Sequence, residues 1–324
     1  MSPVDVAAAD DPVAAVLDAA ERGGSIALRT SGTTSSPRIV VRTAASWTDS
    51  FGYVSALAGI GAASRVWVPG PLAATMNLFA AAHARAVGAR QVATLPEATH
   101  AVLTPALTIE ALHRGTELAG RTLVVAGDRL PAAVAQRART AGARVEHYYG
   151  AAELSFVAWG GDEDDLHPFP EVEVDIRAGE VHVRSPWLSQ GYATGDDGPF
   201  ELDAHGFATV GDRGAFHGRS LRVLGRGDVV ITGGVTVLVS DVETVLRRAT
   251  GTEVYVVGVP HPRFGQVVTA VVPDEAFLDP ARRAARAELT PAQHPRRWYV
   301  LPEIRMTRAG KVDRQWLVGR VSDD

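Results

Sequence analysis

The strongest constraint on this chain is a change of texture near Glu153. Upstream of it, short β-type apolar runs alternate with helical stretches. Segments 25–29 (SIALR) and 39–43 (IVVRT) read as strands, and 66–69, 92–95, 101–104 and 122–126 are further short runs of the same kind. Residues 11–22 and 44–59 read as helices, as do the Ala-rich stretches 74–87 and 131–142. Alternation of this sort implies a layered α/β domain, because each element must bury one apolar face against a neighbour. Downstream, 172–176, 180–184, 207–210 and 221–224 are short alternating strands with Gly or acidic turns, which is antiparallel or barrel-like material. A helix then begins near Ser240 or Asp241 as N-cap, with Glu243 near the third position. Strands at 254–259 and 267–272, a helix near 279–289, a strand near 298–301 and a helix after Val312 complete a small α+β region. The expected fold class is therefore α/β and α+β multidomain. A large domain spans 1–225, a junction 226–228 and a small domain 229–324.

Composition narrows the function. The net charge of −5 and the lack of a basic face argue against nucleic acid or an anionic membrane surface as partner. Apolar runs break well before the roughly 18 residues a membrane helix needs. The acidic start lacks a basic n-region and an apolar h-region, so no signal peptide and a cytoplasmic location are expected. With no Cys, disulfides, thiolate metal sites and a cysteine nucleophile drop out. Asp162, Glu163, Asp164, Asp165 and His167 form a run of neighbours without ligand spacing, which reads as a solvated loop and not a metal site. Of the 32 Lys plus Arg residues, the only lysine is Lys311. Arginine has replaced lysine everywhere else, so Lys311 marks a place where a compact ammonium on a flexible stem was needed, unless it is a chance surface residue.

Between the two strands near the start lies Thr30-Ser31-Gly32-Thr33-Thr34-Ser35-Ser36-Pro37-Arg38. A Gly turn, several hydroxyls, backbone N–H groups and a terminal cation suit a polyphosphate. It is not a Walker A loop, and taken alone it reads equally well as a polar hairpin loop.

That loop resembles the TSGTTGxPK phosphate signature of adenylate-forming enzymes, the superfamily of acyl-CoA synthetases, luciferases and peptide-synthetase adenylation domains. Four more signatures follow in order. Tyr148-Tyr149-Gly150-Ala151-Ala152-Glu153 resembles YGxTE, and Val210-Gly211-Asp212 resembles TGD. Gly225-Arg226-Gly227-Asp228 with Gly233-Gly234 resembles GRxDDxIxxGG, and Thr307 to Arg314, containing Gly310-Lys311, resembles TxxGKxxR. The stretch 231–246 and the GKVDR ending look most like bacterial o-succinylbenzoate-CoA ligases.

The resemblance implies an adenylate-forming ligase fold with a shortened large domain and a small mobile domain carrying the catalytic lysine. It implies an ATP-dependent acid:thiol ligase working through an acyl-adenylate, with Mg²⁺ and coenzyme A, or a carrier-protein phosphopantetheine, as the other cofactors. Thr30, Ser31, Gly32, Thr33 and Thr34 would hold ATP phosphates, and Arg38 would keep the loop's charge. Gly127, Tyr149 and Gly150 would line the adenine, and Asp212 and Arg226 would reach the ribose. Glu153 would bind Mg²⁺, and Glu153, Thr34 and Lys311 would act in catalysis. Asp228 occupies the hinge position, and Gly233-Gly234 would face the thiol channel. Gly70, Ala74, Thr75, Ala151 and Ala152 are placed in the acid pocket, where small residues mean either room or tight packing.

Several positions depart from the pattern. Ser35 stands for Gly, Arg38 for Lys, and Ala152 and Val210 for Thr. The histidine usual in the stretch matching 68–77 is absent, which points away from o-succinylbenzoate toward a different small-molecule carboxylic acid. A phosphate loop as early as residue 30 implies a missing upstream segment, and with it a homodimer that covers the exposed apolar surface. Tyr149 as a core aromatic, Asp212 as a turn residue, Glu153 as a solvated helix residue and Gly233-Gly234 as a plain turn are the alternatives left open.

Overall fold

The computed structural model describes residues 2–29, 38–193, 198–226, 229–306 and 312–322. The chain separates into two compact units, Met1–Val223 and Leu224–Asp324.

In the first unit the central layer is a seven-stranded sheet among the described residues. Its order is Leu166–Pro168, Ser155–Gly160, Arg144–Ala151, Thr122–Val125, His100–Leu103, Arg65–Trp67 and Arg90–Val92. The last five run parallel, and Ser155–Gly160 turns back antiparallel. Period-two alternation decides which side each residue faces. Ala101, Leu103, Leu123 and Val125 enter one core with Val134, Ala135 and Ala138 of helix Ala132–Thr140. Val66, Val102 and Val124 enter the other, with Leu78, Phe79 and Ala81 of helix Thr75–Ala86. Burial on both faces explains why these strands read as unbroken apolar runs.

Helix starts follow local chemistry. Asp11 accepts from the Val13 and Ala14 N–H groups at 3.0 Å, with Pro12 in the first helical position of Pro12–Glu21. Thr104 caps Pro105–His113 in the same way. That helix carries a start signal, Thr-Pro, but weak periodicity, and sequence reading passed over it. The expected helix 44–59 is two pieces, Ala45–Thr48 and Phe51–Ala58. The run 92–95 is displaced: the strand is Arg90–Val92, and Pro96 sits in a 3₁₀ turn, Leu95–Glu97. The Asp162–Asp165 run is not simply solvated. Asp162 is buried and paired with Arg139, Glu163 with Arg129 and Asp164 with Arg222, so it ties the sheet edge to its surroundings through arginines. Among the described residues, no cluster of three or more acidic, His or Cys side chains has metal-binding geometry. No helix there is long and apolar enough to cross a membrane.

Two smaller sheets complete this unit. One orders Val4–Asp5, Ser25–Arg29, Ile39–Thr43 and Gly191–Tyr192. The other is the expected antiparallel material. It runs Glu201–Leu202, Ala208–Thr209, Glu180–Arg184, Asp212–His217 and Ser220–Arg226, with Glu173–Arg177 paired to Glu180–Arg184.

A buried histidine makes the first unit sensitive to acid. His83 is 2 % exposed, sits against Phe51 and Phe79, and shares a 2.8 Å hydrogen bond with the Ser55 hydroxyl. Burial pulls its pKa from 6.5 down to about 4. Protonation therefore costs more in the folded chain than in the unfolded one. The stability held by neutral His83 is complete above about pH 6.5 and is lost as pH falls toward about 4. A shift of that size corresponds to about 3 kcal/mol. Denaturant unfolding of wild type between pH 7 and 4 is expected to show a loss of that order, and His83→Leu is expected to flatten it. Equal acid sensitivity in the two proteins would refute the assignment.

The second unit is a five-stranded sheet among the described residues. It orders Val235–Leu238, Val229–Thr232, Gly265–Val272 and Tyr255–His261, with Arg297–Val300 parallel to Gly265–Val272. Val268, Ala270 and Val272 face helices Val239–Thr250 and Leu278–Glu288. Val267 and Val271 face Leu317 and Val321 of helix Arg314–Ser322. The expected capping box at 240–243 is not formed. Helix Val239–Thr250 begins at least two residues earlier, with Leu238 as N-cap and no side-chain cap. Glu243 is 3 % exposed and accepts instead from the Val256 N–H at 2.9 Å and from Arg314 at 3.0 Å. Arg247, one turn further along the same helix, pairs with Glu243 at 3.2 Å, but the Val256 and Arg314 partners come from other elements, which sequence spacing does not reveal.

Candidate functional site

In an open parallel sheet, ligands bind outside the carboxyl ends of the strands, where the connections change direction. Here the chain leaves Arg65–Trp67 for the sheet edge at Arg90–Val92. It then returns to His100–Leu103 on the other side and continues to Thr122–Val125 and Arg144–Ala151. The switch lies between Arg65–Trp67 and His100–Leu103. Beyond the carboxyl ends come Val68 to Ala74, Thr104, Ala126 to Asp128, and Ala152 to Glu153.

These segments converge. Gly127 has φ +89°, and a Cβ there would lie 3.7 Å from the Thr104 methyl and 3.8 Å from the Met76 sulfur. The left-handed backbone favours glycine and leaves its peptide groups bare beside the switch point. Gly70 has a different reason to be small: a Cβ would fall 2.0 Å from Asn77 Nδ2. Asn77 is buried and donates to the Pro71 carbonyl at 3.1 Å, so Gly70 is shaped by packing. Ala74 is the N-cap of Thr75–Ala86, and Thr75 opens that helix. Just beneath, Met76, Phe79, His83, Val102, Tyr148 and Phe156 line an apolar cavity of about 20 Å³.

The strand Arg144–Ala151 carries the start of the YGAAE motif, whose Ala152 and Glu153 follow in the turn, and neither it nor Ser155–Gly160 was read from the sequence. The alternation of Val145 and His147, both buried, and the apolar run 156–159 were the available signals. Its register slips between Tyr149 and Gly150. A Cβ on Gly150 would stand 2.2 Å from the Ser155 carbonyl oxygen, so only glycine fits the bulge. Ser155 itself adopts φ +63°, in the left-handed region that a non-glycine residue seldom occupies.

Two carboxylates face this turn, each held by a tyrosine. Asp212, 7 % exposed, opens strand Asp212–His217 and accepts from the Tyr149 hydroxyl at 2.6 Å. Glu153, 4 % exposed, accepts from the Tyr192 hydroxyl at 2.8 Å. Such O–H···O⁻ bonds are short and strong, and each fixes one carboxylate oxygen. Neither acid is a free surface residue, and Tyr149 is bound to Asp212 as well as packed on the core. Tyr192 and Arg42 were not singled out from the sequence. Arg42 is fully buried, and burial pulls its guanidinium down to about 9 while the Glu153 charge opposes the pull.

Other expected residues are placed as follows. Arg38 immediately precedes strand Ile39–Thr43, and Ala151 ends Arg144–Ala151, with Ala152 next in the turn. Arg226 ends strand Ser220–Arg226. Gly233 and Gly234, at φ +58° and +81°, form the two-residue loop of the hairpin Val229–Thr232 and Val235–Leu238. Positive φ at both centres matches a type I′ turn, which by itself accounts for the two glycines. Thr30, Ser31, Gly32, Thr33, Thr34, Asp228 and Lys311 lie outside the described residues.

One carboxylate with an oxygen already anchored suits Mg²⁺, which binds through one or two carboxylates together with substrate phosphates and waters. The donor set at Glu153 fits that pattern.

Comparison with known proteins agrees with this geometry. The uncharacterized acyl-CoA ligase YhfT of Bacillus subtilis is 26 % identical over 330 residues, covering 89 % of this chain and 67 % of that protein. The 2-succinylbenzoate-CoA ligase of Escherichia coli is 26 % identical over 225 residues, covering 68 % of this chain and 50 % of its own length. The chain thus spans between half and about two thirds of these relatives. The ATP-bound structure of MatB from Rhodopseudomonas palustris superposes with a TM-score of 0.80 at 20 % identity, over 92 % of this chain and 68 % of that one, a likeness of fold. The family model for AMP-binding enzymes matches residues 26–193, and the model for their C-terminal domain matches 241–311. The first match alone takes in more than half the chain and contains the switch-point crevice, Tyr149 and Glu153, so this protein belongs to the AMP-binding enzyme family.

Proposed function

We propose that this chain is an AMP-forming acid–thiol ligase, using ATP to convert a small carboxylic acid into an acyl-adenylate and then into a thioester. The observation that carries the reading is the pair of buried carboxylates, Asp212 and Glu153, each anchored by a tyrosine hydroxyl beside the carboxyl ends of a parallel sheet. In this reading Asp212 accepts from the ribose hydroxyls, Tyr149 lies along the adenine, and the bare backbone at Gly127 meets the base edge. The residues 30–34 and Arg38 would hold the phosphates, and Glu153 would hold Mg²⁺. Bound there, the metal would neutralise phosphate charge.

The first step forms a bond between a carboxylate oxygen and the α-phosphorus and breaks the bond from that phosphorus to the bridging oxygen of pyrophosphate. Lys311 stabilises the negative charge that grows in this displacement. In the second step a thiolate attacks the acyl carbon, the thioester forms, and AMP leaves with the bonding electrons. Arg226 assists at the ribose, Asp228 is the hinge between a large domain over 1–225 and a small one over 229–324, and Gly233-Gly234 borders the thiol's approach. The acid is placed in the crevice flanked by Gly70, Ala74, Thr75, Ala151 and Ala152.

Carboxylate-dependent release of pyrophosphate from ATP and Mg²⁺, measured without thiol across aliphatic and aromatic acids, tests the reading. Release with one acid class is expected. Subsequent addition of coenzyme A, or of a phosphopantetheinylated carrier protein, identifies the acceptor by which of them yields a thioester. ATP binding without release from any acid would overturn the ligase reading in favour of a nucleotide-binding protein that has kept the fold.

A further inference from the structure

The turn that presents Glu153 is held by a side chain to which no role has been given. Each of its three carbonyls has a partner. The Ala151 carbonyl accepts from the Leu154 N–H at 3.2 Å, and the Glu153 carbonyl from the Ser189 N–H at 2.8 Å. The Ala152 carbonyl accepts from Arg42 Nη1 at 2.9 Å, across 110 residues. Arg42 lies on strand Ile39–Thr43 and is 0 % exposed. Its Nε donates to the Ser46 hydroxyl at 2.9 Å, and its Nη2 to the carbonyls of Ser46 and Trp187. One planar guanidinium thus joins three separate segments: the start of helix Ala45–Thr48, the Ala151–Glu153 turn, and the Trp187–Ser189 stretch. Two residues beyond Ser189, Gly191–Tyr192 pairs with Val40 and Val41, neighbours of Arg42 on its own strand. That pairing fixes the backbone of Tyr192, whose hydroxyl holds Glu153.

A buried guanidinium is costly to desolvate and is tolerated only when its donors are satisfied. An apolar residue would fill the same space at less cost, but it would leave the Ala152 and Trp187 carbonyls without donors. We infer that Arg42 is a positioning residue. It clamps the Ala151–Glu153 turn to the strand carrying it, so that Glu153 and Tyr192 keep the relative placement that leaves one carboxylate oxygen free for a divalent cation. The inference rests on the proposed role of Glu153, and its test separates the two.

Arg42→Lys keeps the charge, but a single ammonium cannot span the Ser46, Ala152 and Trp187 acceptors together. Hydrogen exchange at the Leu154 and Ser189 amides is expected to accelerate by about tenfold or more, with the His100–Leu103 amides unchanged. The Mg²⁺ concentration for half-maximal pyrophosphate release is expected to rise about tenfold, while ATP affinity in metal-free buffer stays as in wild type. Tyr192→Phe is expected to move the Mg²⁺ dependence without moving exchange at Leu154. Wild-type exchange at Leu154 and Ser189 in Arg42→Lys would overturn the clamp, and faster exchange with an unaltered Mg²⁺ dependence would overturn its positioning of Glu153. If wild type releases no pyrophosphate, the ligase reading fails, and the exchange rates alone decide whether Arg42 holds the turn. Should Arg42→Lys not fold, Ser46→Ala removes one acceptor of the same guanidinium. Faster exchange at Leu154 would support the clamp, and wild-type exchange would overturn it.

Discussion

Lys311→Ala is expected to lower carboxylate-dependent pyrophosphate release by about 10²–10³-fold, the range found when one group stabilising a developing negative charge is removed. ATP affinity should change little, because the loss falls on the transition state and not on ground-state binding. The sharper variant is Lys311→Arg. In a chain where all 31 other basic residues are arginine, a single lysine marks a site that a planar fork does not satisfy. Lys311→Arg should therefore lose most of the activity despite keeping the charge. Single-turnover pyrophosphate release, with ATP binding measured in parallel, checks both. Full activity in Lys311→Arg would leave composition without evidential weight, and full activity in Lys311→Ala would remove Lys311 from the chemistry.

Glu153→Gln is expected to cost about 100-fold or more in pyrophosphate release, corresponding to roughly 3 kcal/mol of lost metal-assisted stabilisation. It should also shift the Mg²⁺ requirement upward. The substitution keeps shape and an acceptor for the Tyr192 hydroxyl, so the turn should remain in place and only the charge should be lost. This separates Glu153 from Arg42: exchange at Leu154 should stay at the wild-type rate in Glu153→Gln and rise in Arg42→Lys. A Glu153→Gln protein with normal activity at low Mg²⁺ would assign that carboxylate to structure alone, as a counter-charge for Arg42. Metal titrations followed by pyrophosphate release, with chemical denaturation as a control for folding, distinguish these outcomes.

Local patterns in the chain carried the strands Ser25–Arg29 and Ile39–Thr43, the helices Pro12–Glu21 and Thr75–Ala86, and the helices and three later strands of the second unit, but not its hairpin Val229–Thr232 and Val235–Leu238. They are legible because hydrophobic periodicity and a capping Asp are decided within a few residues of each position. Motif chemistry is local in the same sense, which is why the order of the signatures led to the AMP-binding family. The helix Pro105–His113 and the strands Arg144–Ala151 and Ser155–Gly160 were missed where burial on several sides or a bulge erased the period. The same limit explains Glu243, read as a capping residue and found as a buried acceptor for Val256 and Arg314.

The residue types available for the chemistry, and their order, can be read along the chain. How they are joined depends on the fold: Tyr149 to Asp212 across 63 residues, Glu153 to Tyr192 across 39, and Arg42 to Ala152 across 110. A hydrogen bond between remote segments leaves no periodic trace in either one. It forms because the sheet brings buried donors and acceptors together with no water to satisfy them, so each must find its partner in the protein.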